Sequence, residues 1–156
     1  MSDISRRTAV RHLAAAAAAL SILPARRGAQ AKTPIAVYKD ASCGCCHKWV
    51  EHLTANGFAP AVTDTPAMAA IKTKYKVADR LQSCHTALVG GYVVEGHVPA
   101  GDIRKLLAAK PKGIIGLTIP GMPQSAPGMD MTPFQPYTVL SFDEHGNTAV
   151  FSKHTA

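Results

Sequence analysis

Apolar positions along this chain come in short runs, some with the twofold rhythm of strands and some with the 3.6-residue rhythm of helices. Ile35 to Tyr38 is a run of this first kind, bounded by Pro34 and by Asp40-Ala41-Ser42, and predicts a strand. Cys46, Trp49, Val50 and Leu53 then fall at i, i+3, i+4 and i+7, with Asn56-Gly57 as a stop, which predicts a helix beginning at the cysteines with Cys46 turned to the core. Phe58 to Thr63 reads as a second strand. Thr65-Pro66 supplies an N-cap and a proline at the first helical position, and Met68, Ile71 and Tyr75 line one face of the helix that follows.

Ala87 to Glu95 predicts a hairpin turning at Gly90-Gly91, and Ile103, Leu106 and Leu107 mark a third helix that ends by Pro111. The order β-α-β-α-β-β-α points to an α/β sandwich with a mixed sheet. Beyond it come a short strand at Ile114 to Ile119 and a loop rich in Pro, Gly and Met from Pro120 to Pro136. A second hairpin, Tyr137 to Phe142 with Thr148 to Phe151, turns at Asp143 to Asn147. No repeat and no internal domain boundary interrupts the series.

The first 31 residues follow a different pattern. Arg6, Arg7 and Arg11 precede an alanine-rich apolar run from His12 to Leu23, and Ala29-Gln30-Ala31 has the form of a cleavage signal. The run is shorter than the about 20 apolar residues of a membrane-spanning helix. Residues 1–31 therefore read as a signal peptide cut after Ala31, with Ser5-Arg6-Arg7 in partial likeness to a twin-arginine signal, and residues 32–156 as a single domain. The expected location is the periplasm, with no membrane span left after cleavage.

Composition changes the picture in two places. With 47% apolar residues in 156, the chain can bury a core without disulfide staples. Of the formal charge of +7, the leader's five Arg and one Asp supply +4, so the remainder carries 12 basic and 9 acidic residues, or +3. Scattered lysines with no basic stripe exclude a nucleic-acid interface, and Lys72, Lys74 and Lys76 read as one solvated helix face.

The candidate chemistry lies in Ser42-Cys43-Gly44-Cys45-Cys46-His47. Cys43 and Cys46 have the C-x-x-C spacing between a strand and a helix start, the thioredoxin-like redox arrangement, and a helix N-terminus favours thiolate. Cys45 makes the motif CxCC. A third thiol would scramble a dithiol switch but adds a soft ligand for Cu(I), Zn(II) or an iron–sulfur cluster. In a thioredoxin-like topology Cys84-His85 occupies the place of the usual cis-proline and faces the helix start, which would gather four thiols and an imidazole. Two ordinary disulfides are the plainer alternative for an exported protein. They fit poorly, since one of three crowded cysteines must reach Cys84 and the others then need a strained local bridge.

Other soft or titratable groups carry less. His85 is a ligand or a hydrogen-bond partner of Cys84. His47, His52, His97, His145 and His154 read as solvated or locally bonded. Met122, Met129 and Met131 offer thioethers suited to Cu(I), while the plainer role for Met122 and Met129 is to plug the loop onto the core.

Four motifs in order, Cys43-Gly44-Cys45-Cys46-His47-Lys48-Trp49-Val50, Gln82-Ser83-Cys84-His85-Thr86-Ala87, Gly91 to Pro99, and Pro120-Gly121-Met122-Pro123 through Pro127-Gly128-Met129, closely resemble the bacterial domain of unknown function family 411. That family includes CopG-type periplasmic copper-resistance proteins. The resemblance runs from about Ile35 to His154 and departs from the family pattern only in the loop, at Ser125-Ala126-Pro127 and Asp130. It implies a thioredoxin-like sandwich with a C-terminal loop and β-hairpin extension. It also implies a copper site of Cys43, Cys45, Cys46 and Cys84, with His85, Met122 and His97 as weaker neighbours. The expected function is exported copper binding in support of copper resistance and homeostasis. Copper would be held as Cu(I), in one or several ions, ahead of zinc, with other periplasmic copper-handling proteins as partners. The rival is a thiol-disulfide or copper oxidoreductase exchanging through Cys43 and Cys46.

Overall fold

The computed structural model describes residues 31–155. The expected signal peptide, apart from Ala31, lies outside the described residues, and among those described no helix is long and apolar enough to cross a membrane.

Strand β1 (Thr33–Lys39) leads through α1 (Gly44–Ala55) into β2 (Phe58–Asp64), which pairs parallel to β1 from Thr33↔Phe58 to Lys39↔Asp64. Helix α2 (Met68–Lys74) and a 3₁₀ turn at Asp79–Leu81 precede the hairpin of β3 (His85–Val89) and β4 (Tyr92–Glu95), and β3 runs antiparallel to β1. Gly90 and Gly91 take φ of +55° and +86°, the left-handed pair that a two-residue turn needs to match the twist of its strands. Helix α3 (Ala100–Ala109), β5 (Gly116–Thr118), β6 (Tyr137–Phe142) and β7 (Thr148–His154) complete the order. The result is one seven-stranded mixed sheet, β2-β1-β3-β4-β5-β6-β7, parallel at β1/β2 and β4/β5 and antiparallel elsewhere.

Period-two alternation separates the two faces of this sheet. Ile35, Val37, Ala87, Val89, Val94, Leu117 and Val139 point to one side, where Trp49 and Leu53 of α1 and Ile103 and Leu106 of α3 close the main core. Val93 and Phe142 point to the other side, with Leu88 packed beside them, under Val77 and Leu81. The β-α-β-α-β-β-α order and the mixed α/β class read from the sequence are both present.

Four local expectations are corrected. Helix α2 starts two residues later than the Thr65-Pro66 signal suggests: Thr65 Oγ1 accepts from Ala67 N at 3.1 Å, a serine/threonine-type turn that uses up the capping oxygen before the helix begins. Lys72 is not on a solvated face with Lys74 and Lys76. It is 5% exposed and ion-paired to Glu95, because it shares the inner stripe of α2 with Met68 at i−4 and Tyr75 at i+3. Strand β7 runs on to His154, whose Nε2 meets Asp102 Oδ2 at 2.7 Å and anchors the last residues to α3. Finally, Met122 is 52% exposed and Met129 only half-buried, so neither plugs the loop. Ala126 is the loop residue buried in the main core.

Candidate metal and thiol centre

β1 ends at Lys39, and the chain turns into α1 through Asp40-Ala41-Ser42. Asp40 Oδ1 accepts from Ser42 N at 2.8 Å and Ser42 Oγ at 2.5 Å, while Asp40 O accepts from Cys43 N at 3.1 Å. These bonds from Ser42 hold the Asp40 carboxyl below its usual range. The turn places Cys43 at the N-cap of α1, with Cys45 and Cys46 in the first helical turn.

Cys43 and Cys46 are joined by a disulfide with a Cα–Cα distance of 5.4 Å, and Cys45 and Cys84 are free. This is the C-x-x-C pair of the oxidoreductase alternative and not the two disulfides of the plainer one, and it forms because one helical turn already brings residues i and i+3 within disulfide reach. Cys45 Sγ lies 3.6 Å from Cys43 Sγ. The ligand atoms of Cys43, Cys45, Cys46 and Cys84 all lie within 4.8 Å of one another, as expected of two facing segments.

Cys84 sits immediately before β3, between two imidazoles. Its Sγ is 3.1 Å from His97 Nε2 and 3.3 Å from His85 Nδ1, and these three residues form a second convergent group. His97 Nδ1 lies 2.7 Å from Pro127 O. A carbonyl only accepts, so Nδ1 carries the proton and Nε2 of the neutral ring accepts the Cys84 S–H. His85 Nδ1–H then donates to the same sulfur. His85 Nε2 is left buried without a partner among the described residues.

Burial governs the protonation of this group. It pushes the Cys84 thiol up to about 11, with the nearby Cys45 charge adding to the rise. It also lowers His97, and holds His85 well below the usual histidine value with help from the His97 and Lys72 charges. Cys84 is thus a thiol and both rings are neutral, which is the ligand-ready form of an imidazole.

The structure therefore brings together Cys43, Cys45, Cys46, Cys84, His85 and His97. Of the readings given for His97, a solvated ring is not what forms: it is fully buried, held by Pro127 O of the Pro120–Pro136 loop and beside Cys84, where the resemblance implied a neighbour of the site. Met122 lies in the same loop, exposed. His47 Nδ1 lies 3.1 Å from Cys43 O, a local partner as expected, whereas His52 Nε2 accepts from Ala100 N at 3.1 Å, a contact across 48 residues that ties α1 to the start of α3.

Several participants escaped the sequence reading. Trp49, expected only in the core, packs its ring tilted against the His85 ring with centroids 4.2 Å apart and donates Nε1–H to Val98 O at 2.9 Å. Gly128 packs against α1 so closely that a Cβ there would lie 2.8 Å from Trp49 N and 3.0 Å from Cys45 O. Glu95, Lys72 and Thr86 form a buried polar group behind Cys84. The signal available for it was a carboxylate closing the apolar run Tyr92-Val93-Val94.

Fold and site together define a mixed α/β protein with a compact cysteine cluster where its first strand meets its first helix. Residues 81–129 match the family described as "Protein of unknown function, DUF411". Two solved structures, "Copper resistance protein copG" Form 1 and Form 2, each superpose with a TM-score of 0.74 at 38% identity, covering 80% of this chain and 99% of the other. No curated protein matches the chain. The chain belongs to the DUF411, copG-type family.

Proposed function

We propose that this protein is exported to the periplasm, loses residues 1–31, and handles copper there as Cu(I) bound by thiolates of Cys43, Cys45, Cys46 and Cys84 on a thioredoxin-like frame, in support of copper resistance. The observation that carries this reading is the convergence of four sulfurs within 4.8 Å at one buried-to-exposed boundary. The likeness to a copper resistance protein supports copper as the ion. The donor set fits: thiolates are soft ligands that suit Cu(I), and zinc would find the same sulfurs, so the choice of copper over zinc rests on that likeness. His85 and His97 are the neighbouring nitrogen donors, and the buried Nε2 of His85 has no hydrogen-bond partner among the described residues. Copper here is cargo, received from and passed to other periplasmic copper-handling proteins.

The disulfide sets a condition on loading. With Cys43 and Cys46 bonded, two of the four sulfurs are not thiolates, so the full thiolate set requires two electrons from a reductant to open the bridge. Reduced protein titrated anaerobically with Cu(I) is expected to show Cu–S scattering by X-ray absorption, with one or several ions per chain. Protein with the bridge intact is expected to load less. Absence of Cu–S scattering at stoichiometric loading of the reduced protein would sink the reading.

The same disulfide favours a second reading, a thiol-disulfide or copper oxidoreductase in which Cys43 and Cys46 are the exchanging pair. Cys45→Ser separates the two: disulfide exchange that survives while copper binding is lost assigns exchange to Cys43 and Cys46 and metal holding to the whole cluster.

A further inference from the structure

Cys84 lies one residue before β3, just outside the ladder that fixes β3 against β1 and β4. Its place opposite α1 therefore depends on what holds the short segment Ser83–Thr86. Two of these residues are tied to one carboxylate. Glu95 Oε1 accepts from Ser83 N at 2.7 Å, on the N-terminal side of Cys84, and Glu95 Oε2 accepts from Thr86 Oγ1 at 2.7 Å, on the C-terminal side. Lys72 Nζ pairs with Oε1 and donates to Thr86 Oγ1 at 3.2 Å, so the carboxylate has a counter-charge as well as two hydrogen-bond donors. All three side chains are buried.

The backbone repeats the arrangement. Gly96 N donates to His85 O at 3.0 Å, and a Cβ on Gly96 would lie 2.6 Å from Ser83 Cβ, so the end of β4 is pressed directly under the Cys84 segment. A buried ion pair is weak ground for stability, since an apolar pair of similar volume often serves as well or better. Its geometry is the informative part. A carboxylate that grips both flanks of one cysteine fixes that cysteine in a way an apolar residue cannot.

We propose that Glu95, braced by Lys72, is the positioning residue of the thiol centre, holding Cys84 against the α1 cysteines through Ser83 N–H and the Thr86 hydroxyl. This rests on the proposed thiol centre but not on any metal being bound. Without the clamp, Cys84 is free to swing away from Cys43, Cys45 and Cys46 while the sheet stays intact.

The test compares two charge-neutral variants of the disulfide-containing protein. Glu95→Leu with Lys72→Met removes both charges and both acceptors. Glu95→Gln with Lys72→Met removes the charges but keeps an amide oxygen for Ser83 N–H and an amide N–H for Thr86 Oγ1. Alkylation of Cys84 and of Cys45 by N-ethylmaleimide is followed separately by peptide mass spectrometry. In the Leu/Met variant Cys84 is expected to react about tenfold faster, the scale of one lost charge-assisted hydrogen bond, while Cys45 keeps its rate. The Gln/Met variant is expected to restore the native ratio. An unchanged ratio in the Leu/Met variant, or an equal rise at both cysteines, overturns the proposal. If that variant does not fold, Thr86→Val removes one jaw of the clamp and is expected to raise the Cys84 rate selectively, with an unchanged ratio again overturning it. Anaerobic Cu(I) titration of the reduced variants is a separate arm, in which the Leu/Met variant is expected to lose about 10- to 100-fold in affinity. Native protein that binds no Cu(I) removes the copper reading and leaves the alkylation ratio to decide the clamp.

Discussion

Cys84 Sγ lies 3.1 Å from His97 Nε2, and the other nitrogen of that ring lies 2.7 Å from the Pro127 carbonyl oxygen. One imidazole thus links the Cys84 thiol, just before β3, to the Pro120–Pro136 loop. His97→Leu removes the acceptor of the Cys84 S–H and leaves the Pro127 carbonyl without its donor. Urea denaturation is expected to show a loss of about 1–2 kcal/mol, the cost of a polar group left without a partner. The Cys84 thiol is expected to become more reactive toward iodoacetamide as the loop loosens.

The disulfide assignment gives a direct count. Non-reduced protein unfolded in guanidinium is expected to show two reactive thiols, from Cys45 and Cys84, and four after reduction. Peptide mapping of the alkylated, non-reduced chain should recover Cys43 linked to Cys46. Any link to Cys84 in freshly folded protein would contradict the structure.

Lys72 and Glu95 should couple strongly in stability. Lys72→Met alone leaves a buried carboxylate without its counter-charge and is expected to cost about 3–5 kcal/mol, whereas Lys72→Met with Glu95→Gln should recover most of that loss. A double-mutant cycle by chemical denaturation measures the coupling. Additive effects would mean the pair is not formed in solution.

Gly128 has φ +87°, and a Cβ there would meet the backbone of α1 at Trp49 and Cys45. Gly128→Ala must therefore lift the loop off the helix. Destabilisation of about 1–3 kcal/mol is expected from the strain of overpacking, together with faster alkylation of Cys45. A change confined to stability, with Cys45 reactivity unmoved, would show that the loop shifts elsewhere.

His52 offers a pH test away from the thiols. Its Nε2 accepts the Ala100 N–H at the start of α3, a role open only to the neutral ring. Burial lowers its pKa, Arg104 lowers it further and Asp130 opposes. With the folded value below the unfolded one, the unfolded chain binds more protons between the two. The contribution is therefore complete above about pH 6.5 and is lost as pH falls. His85 and His97 shift in the same direction. The melting temperature is expected to drop from pH 7.5 to pH 5, and to drop less in His52→Gln, whose amide oxygen accepts without titrating. An equal drop in both proteins would remove His52 from the effect.

Much of the fold was legible because its signals are local. Cys46, Trp49 and Leu53 share one helical face by spacing alone, and Gly90-Gly91 marks its turn by backbone preference alone. Lys72 was misread for the converse reason. Its neighbours Lys74 and Lys76 suggest a solvated face, and only Glu95, 23 residues on, makes burial of its charge tolerable. Residue type suggests a packing role for Met122 and Met129, but the loop residue buried in the core is Ala126.

The sequence by itself determined the cysteine-rich helix start, the order of strands and helices, and the family, since each is carried by residue spacing within a few turns of chain. Tertiary structure decided the rest of the centre: which cysteines are bonded, that Cys84 stands between two neutral imidazoles, and that Glu95 and Lys72 sit behind it. Those contacts join segments far apart in sequence, and their chemistry follows from burial and distance, which exist only once the sheet has brought β1, β3 and β4 side by side.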